Sequence, residues 1–393
     1  MHIAVVAADL LPERLGGAEV HVVELIKRLA ERDHTFDVFV GHSTEIAKTF
    51  PHNVTIHPIK FPEIPNLYGL SYIMFAPIQI KRVLRGKSID LVWAKQVFPQ
   101  GVVAAILAGH LKRPLYMTAQ NPLDYKEELV MKGLIPFKNL LPNLLTPLVS
   151  FALKRADVVA CVSRYAKEQA DKLGARRSVI IPNGVDTTNF KPSYRAQVEE
   201  VKSEKLKVKR RVRIITTSAL IPRNGLDTLI DAVYLLPSSL NWELVIAGDG
   251  PLYNNLKLQI SKYKLEQKVK LLGRVENRKI PQLLAGADLF IRLSRKEGFG
   301  VSFLEAMAIG LPVIATPIGG ITDFINDGET GLLVEPDRPK EAAKAMERIL
   351  TDAALYQKHR TNGRILVQKR YTWDHITDQV ENMLTSISDG RVS

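Results

Sequence analysis

The chain has 393 residues, enough for two domains that each bury a core of their own. With 46% hydrophobic and 24% charged residues it is neither disordered nor fibrous, and its single cysteine, Cys161, excludes an intrachain disulfide. The formal net charge of +13, spread over both halves, favours anionic partners such as nucleoside diphosphates, acidic lipid or nucleic acid. No aromatic-basic sheet motif or zinc pattern accompanies that charge, so nucleic acid is not an expected partner.

Met1-His-Ile-Ala-Val-Val-Ala7 reads as a first strand and lacks the basic start and long apolar run of a secretory leader. Gly16-Gly17-Ala18-Glu19 follows, and a helix over Ala18–Arg32 places Val22, Leu25, Ile26 and Leu29 on one face. The turn from Asp9 to Gly17 is too long and irregular for a Gly-x-Gly-x-x-Gly fingerprint, which argues against a nicotinamide-dependent oxidoreductase. Further strands are expected at Phe36–Gly41, Leu91–Ala94, Leu115–Ala119, Val158–Val162 and Val179–Ile181, with Cys161 buried in one of them.

The apolar stretch Leu134–Leu153 is interrupted by Pro136, Pro142 and Pro147 and contains Lys138, so it does not read as a membrane span. A cytoplasmic protein is expected. Leu129–Leu153, with Lys132, Lys138 and Lys154, reads as helical packing in the first domain; the other reading is an amphipathic surface approaching anionic lipid at the inner face of a membrane.

Tyr194 to Arg211 is polar, charged and without a buried-strand pattern. The basic run Lys202–Arg213 reads as a solvated linker, with membrane contact as the lesser reading. Beyond it, strands are expected at Arg213–Ser218, Glu243–Ala247, Val269–Leu272, Leu289–Leu293, Val313–Ala315 and Gly331–Val334. Short apolar runs alternating with helical stretches indicate βα units and parallel sheets. The expected division is a first domain over 1–195, a linker over 196–211, a second domain over 212–371, and a final segment over 372–393.

The segment Ser294-Arg-Lys-Glu297-Gly298-Phe299-Gly300-Val301-Ser302-Phe303-Leu304-Glu305-Ala306 carries the most chemistry. Two carboxylates flank a tight Gly-Phe-Gly turn between a buried strand and a helix over Phe303–Ile309. A glycine turn that opens a helix suits a phosphate, through its backbone N–H groups and dipole. The glutamates are better suited to sugar and ribose hydroxyls. Ser302-x-x-Glu305 is also a capping box, in which both side chains simply satisfy the first turn of the helix.

Taken with Ile309-Gly-Leu-Pro-Val-Ile-Ala-Thr-Pro317, this segment resembles the donor-binding signature of the retaining glycosyltransferases of family 4 (glycosyl transferases group 1). The likeness covers nearly the whole chain, through Gly16-Gly17-Ala-Glu19, Ile181-Pro-Asn-Gly-Val-Asp-Thr-Thr-Asn-Phe190, Leu244-Val-Ile-Ala-Gly-Asp-Gly250, Leu272-Gly-Arg274-Val275 and Gly319-Gly-Ile-Thr-Asp-Phe-Ile-Asn-Asp-Gly-Glu-Thr-Gly331. It implies an α/β protein of GT-B architecture: two Rossmann-like domains facing a central cleft, acceptor on the first and donor nucleotide on the second, with the last helix crossing back to the first domain. It implies a hexosyltransferase of the kind that builds cell-envelope glycans. The sugar would pass from a nucleoside-diphosphate donor to a glycan or lipid-linked acceptor by front-face displacement, without cofactor or metal and with retention at the anomeric carbon.

By the same resemblance Glu297 is catalytic and contacts hydroxyls of the transferred sugar, and Glu305 holds the ribose. The backbone of Gly298, Phe299, Gly300 and Val301 faces the phosphates, Arg274 and Val275 frame the base, and Gly16 and Gly17 approach the donor. Three positions depart from the family pattern. Ala219 stands where an arginine is expected, Asn224 where a lysine is expected, and Gln120 where many relatives carry histidine. Arg223, beside Asn224, is expected to replace part of the lost charge on the diphosphate, with Arg295 and Lys296 as helpers, and Gln120 is expected to contact the sugar. The missing cations leave an alternative open: a catalytically weakened homologue acting as a binding or regulatory subunit.

Overall fold

The computed structural model describes residues 1–8, 17–41, 49–62, 64, 67–120, 140–192 and 211–390. The chain divides into two compact units, Met1–Asn183 with Trp373–Ser393, and Gly184–Thr372. The first unit therefore ends at Asn183, ahead of the expected boundary at 195. The reason is local: the backbone N–H of Val185 donates to Tyr371 O at 2.7 Å, which ties the segment after Gly184 into the second unit. Apart from Arg211, the linker read over 196–211 lies outside the described residues.

The first unit holds strands β1 (His2–Ala8), β2 (Thr35–Val40), β3 (Val54–Pro58), β4 (Leu91–Ala94), β5 (Leu115–Ala119), β6 (Val158–Cys161) and β7 (Ser178–Ile180). They form one sheet in the order β3-β2-β1-β4-β5-β6-β7, parallel throughout. Helices α1 (Gly17–Ala30), α2 (Tyr68–Val83), α3 (Val102–Leu111), α4 (Leu140–Arg155) and α5 (Arg164–Lys172) connect them. Edge strand β3, half exposed, was not among the strands expected, because its residues make no continuous apolar run. β4 and β6 are buried at every position, as parallel strands covered on both faces must be.

The second unit holds β8 (Val212–Thr217), β9 (Trp242–Ala247), β10 (Val269–Leu271), β11 (Leu289–Ile291), β12 (Val313–Ala315) and β13 (Leu332–Leu333), in the order β10-β9-β8-β11-β12-β13 and again parallel. Its helices are α6 (Leu226–Tyr234), α7 (Tyr253–Lys262), α8 (Ile280–Ala285), α9 (Val301–Ile309), α10 (Pro339–Thr351) and α11 (Ala353–Arg370). Glu243 is buried within β9 and tolerated there because Arg213 reaches it at 2.6 Å and Lys270 at 3.0 Å.

The last helix, α12 (Trp373–Ser388), packs on α1 in the first unit. Trp373, Ile376, Val380, Leu384 and Ile387 join the core that Val22, Leu25, Ile26 and Leu29 begin. Arg28 lies 5.5 Å from the Trp373 ring, and Glu381 accepts from Arg32 at 2.6 Å and pairs with His34 at 2.9 Å.

Candidate functional site

In an open parallel sheet, ligands bind beyond the carboxyl ends of the strands where the strand order reverses. In the second unit that point lies between β8 and β11. The loop after β8 is 218–225 and the loop after β11 is 292–300, so Ala219 and Asn224 occupy one of the two loops flanking this point and Glu297 the other, with Glu305 on the helix that follows. The loops are stitched to each other: the backbone N–H groups of Arg295 and Lys296 both donate to Arg223 O, at 2.7 and 3.3 Å. Gly225, at φ +62°, starts α6, and a Cβ there would lie 1.8 Å from Leu293 O. Gly319, at φ +53°, approaches as closely on the other side, where a Cβ would lie 1.8 Å from Glu297 O. Both positions need glycine, for their backbone angle and for the space.

The centre of the site is a residue that the sequence reading passed over. Arg292 follows β11 directly and is buried. Its Nε donates to Ser294 Oγ at 3.1 Å, its Nη1 donates to Ser302 Oγ at 2.9 Å, and its Nη2 pairs with Glu297 Oε2. Its guanidinium lies 4.9 Å from the Phe303 ring centre, a cation–π contact. The signal for it was an arginine at the end of an otherwise apolar buried strand, a place where a charge is retained only with partners.

Arg292 also removes the capping box. Ser302 Oγ accepts from Arg292, and α9 is opened by Gly300 in the left-handed region with no side-chain cap. The helix therefore starts with its positive dipole end uncapped by any side chain. It begins at Val301, two residues before the start read from the sequence.

Glu297 is held on both oxygens, by Arg292 and by the Gly298 N–H at 3.1 Å. The carboxyl of Glu305, one turn into α9, makes no hydrogen bond among the described residues, and it is pushed up to about 7 by desolvation while the charge of Arg292 pulls the other way. A carboxyl short of partners is a ready acceptor for hydroxyls. Phe299 turns its ring into the core, 5.4 Å from Phe324, so only its backbone is free to serve a ligand.

The expected helpers divide. Arg295 is fully engaged: Asp227 at 2.7 Å, Asp337 at 2.7 Å and Pro222 O at 2.6 Å hold it as a clamp between the two loops. Lys296 likewise has a partner. Arg223 is exposed on a short 3-10 turn, Pro222–Asn224, and its guanidinium makes no ion pair among the described residues. Asn224 is buried and donates from Nδ2 to Ala219 O at 2.8 Å, closing the loop on itself. Arg274 is exposed and Val275 half-buried after β10, and the Gly248 N–H donates to Gly273 O at 2.8 Å, so the loops after β9 and β10 are also joined.

In the first unit, Gly16 lies outside the described residues, and Gly17 opens α1. Beside it Glu19 accepts from the buried Lys95 Nζ at 2.6 Å, at the end of β4, a pair that the sequence did not announce. Gln120 ends β5, buried, and neither amide atom has a hydrogen-bond partner among the described residues.

Two units of this kind, with glycine-tied loops and paired glutamates at a switch point, define the GT-B class of sugar-transferring enzymes. Residues 15–189 match Glycosyltransferase Family 4, and residues 197–366 match Glycosyl transferases group 1. Over 375 residues the chain is 28% identical to an uncharacterized glycosyltransferase of Methanocaldococcus jannaschii, covering 95% of this chain and 96% of that one. Over 400 residues it is 27% identical to the GDP-mannose-dependent alpha-(1-6)-phosphatidylinositol monomannoside mannosyltransferase of Mycobacterium tuberculosis, covering 95% of each. The crystal structure of Anabaena HepE in complex with UDP has the same fold, with a TM-score of 0.79 at 23% identity over 98% of this chain and 100% of that chain. The chain belongs to the family 4 glycosyltransferases.

Proposed function

We propose that this glycosyltransferase binds a nucleoside-diphosphate sugar at the β8–β11 switch point. It transfers the sugar, with retention and without a metal, to a glycan or lipid-linked acceptor. The observation that carries this reading is the arrangement around Arg292: one buried cation fixes Glu297 while Glu305, unpartnered, stands one turn further along a helix whose start is left uncapped. In this reading Glu297 accepts hydroxyls of the sugar, Glu305 accepts ribose hydroxyls, and the start of α9 offsets charge on the departing diphosphate. The leaving phosphate takes the acceptor's proton as the new glycosidic bond forms on the same face. Arg223 adds a flexible positive charge in place of the absent lysine. Gln120 contacts the sugar through an amide that can donate and accept but cannot carry a proton at neutral pH. A cytoplasmic enzyme working at the inner face of a membrane fits a lipid-linked acceptor.

The relatives name different nucleotides. The mycobacterial enzyme depends on GDP-mannose, and HepE was crystallised with UDP, so the donor screen spans both bases. The test is turnover of UDP- and GDP-sugars, with and without a chelator, with the anomeric configuration of the product read by NMR. Inverted product, or activity that a chelator abolishes, refutes the corresponding part of the proposal. A second reading rests on the loop after β8. Ala219 carries no charge and Asn224 is turned to a backbone carbonyl, which favours a binding subunit with weakened catalysis. Nucleotide binding without turnover of any sugar donor would favour that reading.

A further inference from the structure

We propose that Glu19, held in place by Lys95, is the acceptor-binding carboxylate of the first unit, and that the pair selects a neutral polyhydroxyl acceptor over an anionic one. The strand order of the first sheet reverses between β1 and β4, so a ligand of this unit belongs at the carboxyl ends of those strands. Lys95 follows β4 directly, as Arg292 follows β11 in the second unit, and its backbone N–H donates to Val6 O of β1 at 3.0 Å. Both cations are buried and both hold a glutamate: Arg292 holds Glu297, and Lys95 Nζ donates to Glu19 Oε1 at 2.6 Å. The Lys95 side chain is 1% accessible and that of Glu19 is 21%, so the carboxylate is the member of the pair that reaches solvent. A carboxylate accepts at about four positions, so the bond to Lys95 does not exhaust it.

The groups beside the pair suit hydroxyls rather than charge. Trp93 packs edge to face on Tyr116 at 5.6 Å and donates from Nε1 to Thr118 Oγ1 at 2.8 Å, so these residues share one face of the sheet. By strand alternation Lys95 falls on that face after Trp93, and Gln120 after Thr118. Gln120 is buried, and neither of its amide atoms has a hydrogen-bond partner among the described residues. Gln100, in the loop after β4, is also buried, and its Oε1 has none either. Buried polar atoms short of partners call for a ligand or water, and amides both donate to and accept from hydroxyls. An anion would find two positive sources here, Lys95 and the start of α1. Glu19 lies in the first turn of α1 and opposes both. Among residues 95–101 and 120, which follow β4 and β5, Lys95 is the one cation, and Glu19 offsets it. Gln120 is the sugar contact in the proposed reaction, one strand over from Lys95, and the acceptor hydroxyl must lie next to that sugar.

This inference deepens the acceptor side of the proposed function and rests on it. Glu19 orients the acceptor hydroxyl, Lys95 positions Glu19, and the proton still leaves to the departing phosphate. The test is ligand-observed NMR titration of the full chain with UDP, GDP or ADP present. The neutral probes are methyl α-D-mannopyranoside, methyl α-D-glucopyranoside and myo-inositol; the anionic ones are mannose 6-phosphate, glucose 6-phosphate and inositol 1-phosphate. The wild type is expected to bind at least one neutral probe about tenfold or more tighter than the matching phosphate ester. Glu19→Gln is expected to weaken the neutral probe about tenfold or more and to tighten the phosphate ester, because Lys95 then lacks its counter-charge. Glu19→Gln/Lys95→Met is expected to lose that gain, which assigns it to the Lys95 charge. A purely structural role for Glu19 would weaken both kinds of probe together, leave the wild-type preference in place and overturn the inference. Nucleotide affinity is read on the same samples. A chain that binds none of the three nucleotides overturns the proposed function and this inference with it. One that binds a nucleotide but no neutral probe, or that prefers the phosphate esters, overturns this inference alone.

Discussion

The two loops at the switch point of the second sheet begin one strand apart and carry opposite burdens. The loop after β8 closes on itself through Asn224 and Ala219 O, and its one free cation among the described residues, Arg223, is exposed. The loop after β11 gathers its cations inward: Arg292 holds Glu297 and Ser302, and Arg295 clamps Asp227 and Asp337. The buried charge of the second loop stands behind Glu297, where it fixes that side chain's geometry. A buried, multiply bonded arginine positions, while an exposed one screens.

Substitutions that break the second loop should have the largest effects. Glu297→Ala removes the proposed sugar contact and leaves Arg292 buried without its carboxylate; turnover should fall about 1000-fold, checked by single-turnover transfer from the preferred donor. Arg292→Ala should lower kcat about 100-fold by releasing Glu297. Arg292→Lys should recover only part of this, because an ammonium cannot make the three-way contact. Equal activity of the Lys variant and the wild type would show that charge alone matters there.

Glu305 sharpens the comparison through pH. With its carboxyl near 7, it is mostly neutral at pH 6 and mostly ionised at pH 8, so nucleotide affinity should strengthen across that interval and Glu305→Gln should abolish the inflection. The sign for stability is opposite. A carboxyl whose folded value lies above its unfolded one costs the fold stability as pH rises through the folded value. Glu305→Gln should therefore raise the thermal midpoint at pH 8 and leave it unchanged at pH 4. The smallest effect is expected in the first loop: Arg223→Ala should weaken diphosphate binding about fivefold, the worth of one solvent-screened charge. Unchanged affinity removes Arg223 from the site.

The sequence showed much of this region because its information is local. The Gly-Phe-Gly turn, the glutamate spacing and the alternation of apolar runs with helices all lie within short windows, and they place the site at the end of β11. What stayed hidden depends on partners far along the chain. Arg295 looks like a spare cation until Asp227 and Asp337, 68 and 42 residues away, are seen to consume it. Lys95 and Glu19, 76 residues apart, are hidden for the same reason. Ser302-x-x-Glu305 reads as a cap because the pattern is genuine; the competing donor Arg292 takes the serine, and glycine takes the start of the helix. The boundary at Asn183 was missed because composition marks the polar linker, whereas a backbone hydrogen bond to Tyr371 decides where the second unit begins.

The most direct test of the central claim is calorimetric titration of the purified chain, and of its Glu305→Ala variant, with UDP, GDP and ADP, each with and without magnesium. Micromolar binding of one nucleotide by the wild type, independent of magnesium and reduced about tenfold or more in the variant, is the predicted result. Binding of none of the three by the wild type would contradict the account, as would equal binding by both proteins.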